Sequence, residues 1–189
     1  MTDLVDGAGK RERLIDSAKT LMHQQGVHPT TLAAVATHAN VPPGNVYYYF
    51  KAKEDLIRAV VDDYVRQANS ILEELDRLGT PAARLKGLTR TWLHVADTVA
   101  DHGCPVGSLC AELNKCDGPL GEAGAEILGR ITDWAEARFR QLGRRDAPDL
   151  AMALMSGIQG SALLANTFRD ATIMSRQARH LEKWIDSLA

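Results

Sequence analysis

The side chains with the most distinctive chemistry stand together in Asn45-Val46-Tyr47-Tyr48-Tyr49-Phe50, followed closely by Lys51 and Lys53. Phenols and carboxamides both donate and accept hydrogen bonds, so on an exposed helix they could contact phosphates or base edges. Lys53 adds a positive charge where a long helix would begin, an end that favours anions. The competing reading is an aromatic core cluster, a common place for tyrosine. Successive helical residues point about 100° apart, so three consecutive tyrosines cannot all turn inward. Val46 and Phe50 are spaced to face inward together, which leaves Asn45, Tyr48 and Tyr49 pointing elsewhere and Tyr47 at the edge.

A second group is the series Cys104, Cys110 and Cys116, each separated by five residues. An odd cysteine count argues against a disulfide framework in a cytosolic chain. Zinc-ligand spacing is poor, although His94 and His102 lie nearby in sequence. Cys110 falls within a short predicted helix as a small hydrophobe, whereas Cys104, beside Pro105 at a helix boundary, is expected to be exposed. Thiol-based redox sensing by these cysteines stays open as an alternative and would require a depressed thiol pKa. The chain has no nucleophile elbow and no His-Glu-x-x-His. Gly118, Gly121 and Gly124 read as punctuation at a helix start. No catalytic residue, metal site or cofactor is assigned, and an enzyme is not expected.

Helices must position these groups. From Lys10, the apolar positions Leu14, Ile15, Ala18, Leu21 and Met22 recur on one helical face, and Gly26 stops the run. Thr31 is placed to cap a second helix that ends near Asn40. Pro42 and Pro43 mark the start of a short third helix, Gly44 to Phe50. A long helix follows from Lys53 to Leu78, then helices over Pro81–Asp101, Leu109–Lys115, Leu120–Leu142, Pro148–Phe168 and Thr172–Leu188. The predicted fold is all-α: a three-helix N-terminal helix-turn-helix head over residues 1–53, and a bundle of roughly six helices over 54–189.

Charge agrees with this division. The net charge is −2, yet residues 10–53 carry an excess of +4, leaving −6 on the remainder. No apolar run reaches membrane-spanning length. The residues Met1 to Gly9 lack the basic-then-apolar pattern of a signal peptide, so a cytoplasmic chain with no membrane partner is expected.

Two stretches carry a family resemblance. Gly26-Val27-His28-Pro29-Thr30-Thr31-Leu32-Ala33-Ala34-Val35-Ala36, and Asn40 through Lys53 to Leu56, together resemble the DNA-binding head of TetR-family transcriptional regulators. The resemblance covers roughly the first 60 residues. It implies that Thr31 caps helix two and touches a phosphate, and that Pro43 and Gly44 lie against double-stranded DNA. Asn45 and Tyr48 would be nearest the bases, while Tyr47, Tyr49 and Lys53 hold the backbone. Pro42-Pro43 and Asn40 depart from residues frequent in the family, and Ala33 and Ala34 are short, so shape readout is expected to contribute.

The resemblance further implies a homodimeric repressor on an inverted repeat, released by a small-molecule effector. The dimer face is expected on the last two helices, through Ala151, Leu154, Ile158, Ala162 and Ala165, and through Leu181, Trp184, Ile185 and Leu188. Expected effector contacts are Tyr64, Trp92, Cys110, Asn114, Trp134, Met155, Gln159 and Phe168. A helical adaptor that does not bind DNA is the remaining alternative.

Overall fold

The computed structural model describes residues 2–116 and 118–189. Among these are ten α-helices, one 3₁₀ turn and no strand. The helices are α1 (Thr2–Gln25), α2 (Leu32–His38), α3 (Pro43–Tyr49), α4 (Lys53–Asp76), α5 (Pro81–Thr91), α6 (Ala96–His102), α7 (Pro105–Leu113), α8 (Pro119–Gln141), α9 (Ala147–Phe168) and α10 (Thr172–Asp186). The chain divides into two compact units, one of residues 1–65 with 108–127, the other of residues 66–107 with 128–189. The first packing unit thus extends beyond the sequence boundary at residue 53 and includes the end of α7 and the start of α8.

In the first unit, α1 buries Leu14, Ile15, Ala18 and Met22 along one face, as their spacing requires. It ends at Gly26, whose φ of 91° is a left-handed conformation that favours glycine. The α4 segment contributes Leu56, Ile57, Val60 and Val61 to the core. Each such aliphatic side chain, fully buried, stabilises the fold by about 1.5–3 kcal/mol. The start of α4 is fixed by Asp55, whose Oδ2 accepts from the amides of Lys51 and Ala52, both at 3.0 Å. Gly121 and Gly124 are packing positions rather than simple punctuation. A Cβ at Gly121 would lie 2.4 Å from the carbonyl oxygen of Cys116, and one at Gly124 would lie 2.9 Å from Asn114 Oδ1.

In the second unit, Thr80 caps α5 by accepting from the Ala83 amide at 3.1 Å, with Pro81 in the first turn. The helix expected to run unbroken over 81–101 is interrupted by the 3₁₀ turn Trp92–Val95. Trp92 and Leu93 pack there on a cluster of Val99, Cys104, Ala162, Ala165 and Met174, so tertiary packing overrides the helical period. The sequence placed the start of α7 at Leu109, but the helix begins at Pro105. Pro suits a first turn, and Cys104 Sγ accepts from the Gly107 amide at 3.3 Å. Cys104, expected at the surface, is therefore only 7% exposed and belongs to the core.

Most of the residues expected at the dimer face lie inside the chain. Ala151, Leu154, Ile158, Ala162 and Ala165 are buried within the chain, as are Leu181 and Ile185, while Trp184 and Leu188 are half-buried. The helices α9 and α10 pack on each other, with Gly157 leaving room for Leu181, while Ala162 and Ala165 also meet Val99 and Cys104 and Trp184 meets Phe139. The large hydrophobic residues left outward on α9 are Met152, Leu163, Leu164 and Phe168.

Candidate nucleic-acid interface

Thr31 has extended backbone and its Oγ1 accepts from the Ala34 amide at 3.1 Å, closing the first turn of α2. After α2 the chain reverses at Asn40, which adopts φ 52°, a conformation that asparagine tolerates better than most residues. The Val41 amide then donates to the Ala36 carbonyl at 2.9 Å, and the Asn45 amide to the Pro42 carbonyl at 2.8 Å. Pro42 and Pro43 present no N–H to a helix start, where such donors lack intrahelical partners in any case.

The resulting α3 is anchored from below. Val46 is 0% exposed and Phe50 is buried one turn later, with the Arg11 guanidinium 5.4 Å from the Phe50 ring centroid. Pro43, Gly44 and Asn45 are exposed. Tyr47 is 53% exposed and Tyr48 78%, whereas Tyr49 is half-buried and meets the Tyr48 ring edge to face. Lys51 Nζ donates to the Tyr47 carbonyl at 2.9 Å, occupying an orphan acceptor at the end of α3. The arrangement offers a convex strip of amide, phenol and backbone donors on a fixed base, suited to a duplex groove.

Lys53 has a second engagement that its position in the sequence did not disclose. Its Nζ donates to the His28 carbonyl at 2.8 Å, tying the start of α4 to the loop before α2. The same loop receives Glu112 of α7, whose Oε2 accepts from the Val27 amide at 2.7 Å. Glu112 was missed because a lone glutamate on a short helix carries no local signal of a partner 85 residues away.

The expected effector residues are dispersed. Tyr64, Cys110 and Asn114 belong to the first unit, and Trp92, Trp134, Met155, Gln159 and Phe168 to the second. Tyr64 lies under the Lys19 ammonium, 4.5 Å from the ring centroid. Asn114 is exposed, and Phe168, at 66% exposure, faces outward; neither position encloses a ligand. Trp134 donates its indole N–H to Asp76 at 3.2 Å. Trp92 lines a small recess with Thr89, Leu93, Ile158, Ser161 and Met174, and Gln177, Ala178 and Leu181 complete its wall. The Gln159 amide nitrogen is buried and finds no hydrogen-bond partner among the described residues. Among those residues no three His, Cys, Asp or Glu side chains are grouped to hold a metal ion. Cys104 and Cys110 are buried, and Cys116 is exposed. No helix among the described residues is long and apolar enough to cross a membrane.

A capped helix, a three-residue reversal and a second helix anchored by Val46 and Phe50 define the chain as a helix-turn-helix protein. Residues 14–60 match the family model of bacterial regulatory proteins of the tetR family, and residues 81–180 match the C-terminal domain of LmrA/YxaF-like transcriptional regulators. The chain belongs to the TetR family of DNA-binding transcriptional regulators. It is 29% identical over 169 residues to the HTH-type transcriptional regulator LmrA of Bacillus subtilis, covering 86% of this chain and 89% of that one. An HTH-type regulator of Lactococcus lactis is 27% identical over 172 residues, 87% of each chain. The fold is shared with a TetR-family regulator from Agrobacterium tumefaciens at a TM-score of 0.84 and 18% identity, covering 94% of this chain and 97% of that one. Regulators of this family bind DNA and typically form homodimers.

Proposed function

We propose that this chain is a homodimeric repressor that binds an inverted-repeat operator through α3 and releases it when a small molecule occupies the helical body. The observation that carries the reading is the presentation of α3: Tyr48 is 78% exposed and fully buried Val46 stands two residues before it, on the opposite side of the helix. An exposed phenol on a helix whose other side is anchored in the core is placed to donate to and accept from a duplex groove. Asn45 and Tyr48 reach base edges, Tyr47 and Tyr49 hold the backbone, and Thr31, Pro43 and Gly44 approach phosphates. Lys53 adds charge to this contact with the two ammonium hydrogens that His28 does not take. The protein acts by binding in the cytoplasm and carries out no reaction of its own.

A single head of this size touches only a few base pairs, so specificity requires two copies on two half-sites. The outward apolar residues of α9, Met152, Leu163 and Leu164, are the surface we assign to that pairing. For the effector, the unsatisfied Gln159 amide favours a ligand that offers a hydrogen-bond acceptor. Occupancy would favour a spacing of the two heads that no longer fits the operator.

The test is selection of bound duplexes from a random pool by the purified protein, sequenced over successive rounds. Enrichment of an inverted repeat is expected. A pool that stays random at low salt overturns the assignment of α3.

A further inference from the structure

Beyond the helix-turn-helix itself, the loop of residues 26–31 is held at two backbone groups by side chains from α4 and α7, and at a third by its own Thr30 hydroxyl. Lys53 of α4 donates to the His28 carbonyl. Buried Thr30 donates to the Gly26 carbonyl at 2.8 Å and accepts from Gln25 at 3.3 Å. Glu112 of α7 accepts from the Val27 amide at 2.7 Å. The last reaches furthest along the chain, 85 residues against 25 for the Lys53 tie. Like that tie it is charge-assisted, the stronger class of hydrogen bond.

The local chain is shaped for that carboxylate. Gly26 holds φ 91°, and a Cβ there would stand 3.3 Å from both Glu112 carboxylate oxygens. Glycine therefore supplies both the left-handed turn and the space into which Glu112 reaches. Val27 itself is buried, so without Glu112 its amide would face a partly desolvated position with no acceptor. Four residues later Thr31 closes the first turn of α2. Any loosening at Val27 reaches the N-cap that orients α2, and through the Asn40 reversal, α3.

We infer that Glu112 is a positioning residue for DNA recognition, a latch by which α7 holds the loop before α2 in its operator-binding arrangement. The inference rests on the reading of α3 as the DNA-contacting element. Because binding linkages are reciprocal, a latch that favours the bound arrangement must itself be tightened by operator.

The experiment measures amide hydrogen exchange at Val27 and the affinity for a duplex enriched from the random pool, in the full-length protein. In the wild-type chain the Val27 amide is expected to be protected, and further protected by saturating duplex. Glu112→Met keeps length and packing but removes the acceptor. It should speed Val27 exchange and weaken specific binding, each about tenfold, as loss of a charged hydrogen bond implies. Glu112→Gln retains an acceptor oxygen and should restore both. An unprotected Val27 amide in the wild type overturns the latch without any variant. So does unchanged duplex affinity in a folded Glu112→Met protein whose Val27 exchange has risen. If the wild-type chain binds no duplex, the reading of α3 fails, and the Val27 exchange still reports separately whether Glu112 holds the loop.

Discussion

Tyr48 and Tyr49 meet edge to face, with ring centroids 5.1 Å apart and planes at 88°. One ring of the pair is half-buried and the other almost wholly exposed, so Tyr49 acts as a side support that limits where the Tyr48 phenol can point. A preoriented phenol loses less freedom on meeting a base than a free one. Tyr48→Ala should weaken binding to a selected duplex by about 1–3 kcal/mol while leaving binding to random duplex nearly unchanged. Titration of both duplexes by fluorescence anisotropy checks this. Equal losses on the two would remove Tyr48 from base reading.

Lys53 combines a tie to His28 with a charge at the start of α4. If its remaining donors meet a phosphate, Lys53→Ala should weaken specific and random duplex binding alike and reduce the slope of log K against log salt by about one. The tie to His28 alone predicts another pattern: weakened specific binding with the salt slope intact. Affinities measured across a salt series separate the two, and an intact slope would remove the phosphate contact.

Much of this head is legible in the residues themselves. Thr31, Asn40 and Pro42-Pro43 each act through backbone preferences that depend on immediate neighbours, so the cap, reversal and restart appear close to where local chemistry puts them. Val46 and Phe50 follow from helical spacing. The α5–α7 region is less legible, because Trp92 and Leu93 are pulled into a 3₁₀ turn by a cluster assembled from α6, α9 and α10. Cys104 likewise gained burial from that cluster. The inner face of α9 was legible as a packing face, but periodicity does not say whether the neighbour is the same chain or a copy. Glu112 carries no local signal, since its significance lies wholly in a partner 85 residues away, whereas Gln159 is legible as a polar position on a mostly apolar helix.

The outward residues of α9 give the dimer prediction. Leu163 is 67% exposed and Met152 59%, and with Leu164 and Phe168 they make a grouping of large apolar side chains on one helix, the kind of surface that marks an interaction site. Leu163→Glu should shift the protein toward monomer and lower operator affinity while keeping the helical circular dichroism signal, because a charge desolvated at a pairing face is costly. Leu154→Ala should instead lower the melting temperature, since it empties a buried site at a cost of about 2–5 kcal/mol. Sedimentation and thermal melts of the two variants distinguish these faces. A dimeric Leu163→Glu protein would move the pairing surface elsewhere.

The far end of α4 carries a pH-dependent contribution to stability within the second unit. Asp76 Oδ1 accepts from Trp134 Nε1 at 3.2 Å and Arg138 Nε at 3.0 Å, and the Arg138 guanidinium lies over the Trp134 ring, 4.5 Å from its centroid. Burial alone would push the Asp76 carboxyl up, but hydrogen bonds from Arg138 and Trp134 outweigh it and hold the group below the usual aspartate range. A carboxylate whose folded pKa lies below its unfolded value contributes stability at neutral pH. That contribution starts to fall as the pH drops toward the ordinary aspartate pKa of about 3.9, and is lost as it passes through the lower folded value. Asp76→Asn removes the titration and leaves Arg138 without its carboxylate partner. The variant should be less stable than wild type at pH 7, with the gap closing below about pH 4. Urea melts across this range, followed by tryptophan fluorescence, provide the measurement. A gap that persists unchanged into acid would mean that the site depends on packing of Trp134 rather than on the Asp76 charge.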